Sequence, residues 1–231
     1  TTNANDAASL ANSKANYVSG LARLSQSLRN NFDGRFLAFV GEESIGAPLH
    51  ENNPYAFKVY AFKKALEAGF KKILYLDSSC FAIKNVQPCF DEIEKDGFLM
   101  QDAGHLCGNW CNDYCLSYHG VSRDEAMEMK MIGNAGMLGL NFDMELPSVF
   151  FKKWEQSMID GCFLGKWNNN EKTESQDERC LGARHDMSNS SLIINKMNLF
   201  HLAKPGDTWL QYAGPYDQTG NETIIFKAQG I

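Results

Sequence analysis

The stretch Lys71-Lys72-Ile73-Leu74-Tyr75-Leu76-Asp77 constrains this chain most, being an apolar run of strand length that stops on a lone carboxylate. Directly before it, Pro54 to Ala68 carries a helical pattern, with proline near the first turn and Gly69 as the stop. Earlier still, Arg35 to Val40 is a near-continuous apolar run, as expected of a strand covered on both faces. Strand, helix and strand in this order predict a crossover unit and therefore a parallel sheet. The α/β reading that follows is a mainly parallel central sheet with helices on both faces.

The rest of the chain adds elements of the same kind. Tyr17, Leu21, Leu24 and Leu28 recur at helical spacing, predicting a helix from Ser13 to Leu28. Val86 to Lys95 reads as a helix and Gly97 to Gln101 as a short strand. Ser122-Arg123-Asp124-Glu125 has the form of a capping box, starting a helix that runs to about Met129. Gly136 to Phe142 predicts a strand, Pro147 to Ile159 an amphipathic helix, and Ser188 to Lys196 another helix. A late strand is expected from Thr223 to Lys227. Gly165 to Glu178, with three consecutive asparagines, reads as a mobile loop. Neither a repeat nor a low-complexity tract divides the 231 residues, so one domain is expected over residues 1–231.

Composition excludes several functions. Basic residues number 22 and acidic ones 28, with no basic run, which argues against nucleic acid as a partner. An integral membrane segment is not expected, because a span needs roughly 18 consecutive apolar residues and no run approaches that. With neither leader nor anchor in the printed sequence, a cytoplasmic setting is expected. Seven cysteines, an odd number, favour free thiols over a disulfide framework. Cys107, Cys111 and Cys115 would share one stripe of a helix, but zinc sites usually show shorter cysteine pairs and a fourth ligand. Asn189 and Asn221 each begin an Asn-x-Ser/Thr triplet.

In open α/β sheets ligands bind at the carboxyl ends of strands, which is where Asp77 is expected. A carboxylate ending an apolar strand must be solvated, paired or metal-bound. Several further residues carry two readings each. Lys58 shares a helix with Lys63 and Lys64, any of which could simply be solvated. Asp186 could cap the next helix, and His201, between Phe200 and Leu202, could be a core histidine. The aromatic and amide-rich stretch Gly108-Asn109-Trp110-Cys111-Asn112-Asp113-Tyr114 suits a sugar surface, with Trp110 and Asp113 as acceptor candidates, or else a buried Trp anchoring an irregular region.

Five of these pieces occur in a familiar order. Pro54-Tyr55-Ala56-Phe57-Lys58, the helix end at Gly69 and Ile73-Leu74-Tyr75-Leu76-Asp77-Ser78-Ser79 together resemble the donor region of nucleotide-sugar-dependent glycosyltransferases of the GT-A fold. There a lysine-bearing helix often feeds a strand that ends in Asp-x-Asp. Gly133-Asn134-Ala135-Gly136 resembles the asparagine turn of the glycogenin-like (family 8) branch. Arg184-His185-Asp186-Met187 is similar to that branch's aspartate-glutamine site, and Phe200-His201-Leu202-Ala203-Lys204-Pro205 to its late histidine and Lys-Pro. Small viral and microbial GT-A enzymes are similar as well.

The resemblance implies transfer from a nucleoside-diphosphate sugar, UDP-linked by preference, to a glycan or other hydroxyl acceptor, with retention of anomeric configuration. It implies a donor-binding half of about residues 1–105 and an acceptor-side half of about 106–231. Asp186 and Asn134 would be catalytic. Lys58, Asp77, Ser78, Ser79 and Lys204 would bind the donor, and Trp110, Asp113 and His185 the acceptor. Asp77, Ser79 and His201 would hold a divalent cation, manganese or magnesium, weakly, because a serine hydroxyl replaces the usual last carboxylate. Two alternatives stand beside this reading. One is a degenerate domain that binds carbohydrate or nucleotide without transfer, given Ser79 and Met187. The other is a sugar nucleotidyltransferase, which would need a Gly- and Lys/Arg-rich loop that the first 20 residues lack.

Overall fold

The structure, a computed structural model, describes residues 4–133, 136–212 and 223–228, with side chains from Tyr17 onward. Helix α1 (Ala4–Asn31) buries Leu24 and Leu28. Its Ser27 Oγ accepts from the Ala82 amide at 2.9 Å, which ties the helix to the strand just after Asp77. Then come α2 (Ala56–Glu67), β1 (Lys72–Leu76), β2 (Cys80–Ala82), α3 (Gln87–Asp96), β3 (Phe98–Leu99) and β4 (Asp102–Leu106). Three short helices, α4 (Cys107–Trp110), α5 (Asp113–His119) and α6 (Arg123–Glu128), lead to β5 (Lys130–Ile132) and β6 (Met137–Asn141). Helices α7 (Glu145–Ile159) and α8 (His185–Lys196) precede β7 (Leu210–Tyr212) and β8 (Phe226–Ala228). Among the described residues no helix is long and apolar enough to cross a membrane.

The chain is a mixed α/β protein whose strands form small sheets, which corrects the expected parallel central sheet. Strand β6 lies between β1 and β3 and is antiparallel to both. A second sheet has the order β2-β8-β7, with β8 antiparallel to β2 and parallel to β7, and β4 pairs antiparallel with β5. The physical reason for the difference lies at Arg35–Val40. That run was expected to be the parallel partner of β1, but it carries no regular structure and is largely exposed. Its first residue packs near the start of β1, with the Arg35 guanidinium 4.0 Å from the Phe70 ring centroid.

Other elements fall where their residues place them. The capping box at Ser122 is complete: its hydroxyl accepts from the Glu125 amide while Glu125 accepts from the Ser122 amide. Replacing Ser122 by alanine should cost about 1 kcal/mol, read as a shift in the urea midpoint at constant slope. Gly69, at φ +87°, turns the chain from α2 into β1 in a conformation that suits glycine. Gly139 lets α3 sit close on β6, since a Cβ there would meet Ile93 Cδ1 at 2.5 Å.

The segment from Gly165 to Glu178 is irregular, as expected, but organised around a buried amide. Asn169 donates to the Ser175 and Cys180 carbonyls and accepts from the Glu174 and Ser175 amides. The main core packs Phe62, Phe98, Phe150, Trp154 and Phe163 between the first sheet and α2, α7 and α8. All seven cysteines are free and buried, with Cys107, Cys111 and Cys115 in one smaller cluster beside α8.

Candidate functional site

Helix α2 presents Ala56, Val59, Phe62 and Ala65 to the core, and Lys58 lies one turn before Phe62 on that buried side. Lys58 is 1% exposed. Lys63 and Lys64 instead meet Glu155 at 2.6 Å and Glu67 at 2.7 Å at the surface. The helix therefore separates the three lysines that sequence alone left equivalent. Lys58 Nζ reaches Asp186 Oδ2 at 3.0 Å, across 128 residues of sequence, with both side chains buried. Asp186 sits in the first turn of α8, where a carboxylate also complements the helix dipole.

Asp77 completes the group. Its amide donates to the Gly136 carbonyl, and the Tyr75 hydroxyl donates to Asp77 Oδ1 at 2.6 Å. Tyr75 and Asp77 are two residues apart on one side of the strand, so the alternation of β1 brings them together. Burial opposes the charge of Lys58, but the carboxylates of Asp186 and Asp77 outweigh it and hold the ammonium well above its usual range. Burial lifts the Asp186 carboxyl, with Lys58 acting against it. Burial also raises the Tyr75 hydroxyl, and the charge and hydrogen bond of Asp77 add to that. The group is a Lys58–Asp186 ion pair with Asp77 near enough to add its field, Asp77 being bonded to the Tyr75 hydroxyl.

Aromatic side chains crowd the same place. Lys58 Nζ lies 4.9 Å from the Tyr55 ring centroid and 5.7 Å from that of Tyr75. The ring of Tyr55 lies 5.5 Å from His185 and 6.0 Å from Trp167, and Trp167 lies 5.3 Å from His185. The Arg184 guanidinium sits 3.7 Å from Trp110 and 4.2 Å from Trp167. Tyr55 and His185 both have left-handed backbones, at φ 61° and 49°. Such strain costs about 1 kcal/mol or more per residue and tends to collect at functional positions.

The remaining expected residues are distributed as follows. Ser78 and Ser79 fill the centre of the turn that the Cys80 amide closes on the Asp77 carbonyl, and the Ser79 carbonyl accepts from Arg23 at 2.8 Å. Trp110 is at the site through Arg184, and its carbonyl accepts from both the Arg184 amide and Ser188 Oγ. Asp113 is exposed and paired with Arg123 at 2.6 Å. Lys204 is paired with Glu92 of α3 at 2.5 Å. His201 is exposed on the turn Phe200–Leu202, with Nδ1 2.8 Å from the Asn198 carbonyl. Asn134 and Asn221 lie outside the described residues.

A divalent cation fits this set only in part. Among the described residues no three His, Cys, Asp or Glu side chains are placed to hold a metal. One oxygen of Asp77 is engaged by Tyr75, and His201 lies on its own exposed turn. The protein alone thus supplies too few oxygen ligands for a hard cation.

No family model matches the chain, and no curated protein matches it either. Among solved structures the chain is similar to one glycosyltransferase. It is the apo form of mouse xyloside xylosyltransferase 1, with 12% identity over 92% of this chain and 72% of that one, at a TM-score of 0.38. No residue assignment is carried over from an overlay that loose.

Sequence reasoning missed Tyr55, Tyr75, Arg184 and Trp167. For Tyr75 the signal was the two-residue strand period that aligns it with Asp77. For Arg184 and Trp167 the stacking depends on an irregular segment whose path no periodicity describes. Asn189 of the Asn-x-Ser triplet is fully buried, its amide donating to the Cys162 and His185 carbonyls. The folded chain offers no acceptor nitrogen there.

Proposed function

We propose that this protein transfers a sugar from a nucleoside-diphosphate sugar, UDP-linked by preference, to a hydroxyl of a glycan acceptor. One observation supports the reading: Lys58, Asp77 and Asp186, drawn from three different elements, meet in a single charge group beside a cluster of aromatic rings. Those three residues are among those that the family resemblance assigns to donor binding and catalysis.

The chemistry follows from charge. As the anomeric carbon loses its diphosphate it gains positive character, and a fixed carboxylate facing it lowers the barrier. Asp186, held by Lys58 and deprived of water, is preorganised for that part. Lys58 keeps the carboxylate ionised and oriented, and it moderates the repulsion that a diphosphate would meet from two acids. Ser78 and Ser79, at the tip of the Asp77 turn, offer hydroxyls to phosphate oxygens. Trp110 and His185 provide the acceptor side.

Two carboxylates against one ammonium leave the group net negative, so a diphosphate needs additional positive charge on entry. We therefore take a manganese or magnesium ion to arrive with the donor, Asp77 contributing an oxygen and the phosphates most of the rest. The ion's chemistry when bound is to neutralise the leaving phosphate.

Thermal shift with UDP-, GDP- and CMP-sugars, with and without manganese, tests the proposal. A nucleotide sugar at about 100 times its Kd should stabilise the protein by roughly 2.7 kcal/mol. Nucleoside triphosphates should do nothing, and Asp77→Ala should abolish the shift. Calorimetric titration should show manganese binding tightened by UDP. No shift with any nucleotide sugar, or a full shift in Asp77→Ala, would overturn the assignment.

A further inference from the structure

His185 carries a buried lone pair with nothing bonded to it. The side chain is 2% exposed. Its Nδ1 lies 2.8 Å from the Phe163 carbonyl, an atom that only accepts, so Nδ1 carries the hydrogen and Nε2 is the acceptor. Nε2 is buried without a hydrogen-bond partner among the described residues. Burial lowers the ring's affinity for a proton, which keeps that lone pair available at neutral pH. A desolvated acceptor costs free energy that a partner would return.

What surrounds Nε2 identifies the partner. The ring centroids of Tyr55 and Trp167 lie 5.5 and 5.3 Å from that of the imidazole, with His50, Glu174 and Arg184 as its nearest titratable neighbours. A small number of placed polar groups among aromatic walls is the usual make-up of a small-molecule subsite. Trp167 is 50% exposed and belongs to no core cluster, so turning its indole outward would break its stacking on Arg184 and its ring contacts with Tyr55 and His185 but leave the core packed. Tyr55 and His185, the two strained residues of this region, bring their rings to the same spot.

We propose that Nε2 of His185 accepts a hydrogen bond from a hydroxyl of a bound sugar, with the Trp167 indole acting as a side-chain shutter. On this proposal the indole, now edge-on to the imidazole at 5.3 Å, swings aside and lies against the sugar's C–H face when sugar binds. The choice of a sugar as the hydroxyl compound rests on the transferase reading. Neither the atom nor the shutter follows from that reading.

Nitrogen NMR of histidine-labelled protein tests the subsite directly, with methyl glucoside, methyl galactoside and methyl mannoside added in turn and uridine as the ring without a pyranose. At least one glycoside should move the His185 Nε2 resonance, and uridine should not. His185→Asn keeps a donor for the Phe163 carbonyl and tolerates the left-handed backbone, but has no atom at Nε2. It should bind that glycoside at least tenfold more weakly, and His185→Gln, which restores an acceptor oxygen, should recover part of the loss. Trp167→Ala should move the resonance without any sugar, as water reaches the nitrogen.

A resonance that no glycoside moves, a resonance that only uridine moves, or unchanged binding in His185→Asn would each overturn the proposal. Donor binding through Asp77 separates the two readings. If UDP-glucose still stabilises the protein while every glycoside fails, the subsite falls and the transferase stands. If a glycoside binds at Nε2 while no nucleotide sugar binds, the subsite stands and the transferase falls.

Discussion

Lys58→Met should lower stability by about 3–5 kcal/mol, because it leaves a buried carboxylate without its counter-ion. For a protein of this size that is a fall in Tm of about 10 °C. The loss should have a recognisable pH signature. Burial already lifts the Asp186 carboxyl, and without Lys58 the main restraint on that rise is gone, leaving only the Met187 amide to oppose it. The native variant would then bind a proton that the unfolded chain, titrating near an ordinary aspartate, does not. Stability falls with rising pH wherever the native state holds more protons, so Lys58→Met should gain stability from pH 8 down to pH 5 more steeply than wild type. Replacing both partners by apolar residues, Lys58→Met with Asp186→Leu, should recover most of the stability. A single variant costing under about 1 kcal/mol would mean that the pair is solvated, as exposed pairs of that worth are.

Alkaline pH should unfold the protein steeply. Burial pushes the thiols of Cys80 and Cys89 up to about 12 from an ordinary value of 9. Burial, with the Asp77 charge, holds the Tyr75 hydroxyl well above 10. Between about pH 10 and 12 the unfolded chain has released these three protons and the folded one has kept them. Stability contributed by these groups is therefore present below pH 9 and is lost as pH rises towards 12. Each proton is worth about 1.4 kcal/mol per pH unit, so the three together give a slope of about 4. Denaturant titrations at pH 8, 10 and 11 measure it, and Cys89→Ser should flatten it by about 1.4 kcal/mol per pH unit. A stability independent of pH over that interval would show that these groups are open to solvent in the folded state.

The parts of this molecule that could be read from sequence are those set by local pattern. The capping box at Ser122, helix α2 between Pro54 and Gly69 and the strand ending at Asp77 depend on neighbours within a few residues, and all three formed as expected. Strand partnership is a different matter, because it is decided by residues far apart in sequence. Arg35–Val40 has the composition of a buried strand, yet it carries no regular structure while β6 pairs antiparallel with β1.

The site divides the same way. Lys58, Asp77 and Asp186 were legible from residue type and order, and they meet. Lys204, His201 and Asp113 had equally suggestive types, but Glu92, the Asn198 carbonyl and Arg123 engage them elsewhere. A charged side chain's partner is a tertiary fact, and the single sequence holds no record of it.

The burial of Asn189 bears on how this chain can be produced. Oligosaccharide is attached to Asn-x-Ser triplets while a chain is still unfolded, and the resulting group is bulky and must stay in water. Asn189 ends with its amide between the Cys162 and His185 carbonyls and its oxygen 3.0 Å from His119 Nε2. A glycan added there would have to be carried into α8's packed interior, beside the cysteines of the smaller core. In any host that modifies this triplet, the glycosylated fraction is the misfolded fraction, and replacing Ser191 to remove the triplet would also take away the hydroxyl that accepts from the Ile132 amide. The native fold therefore requires that this triplet stay unmodified.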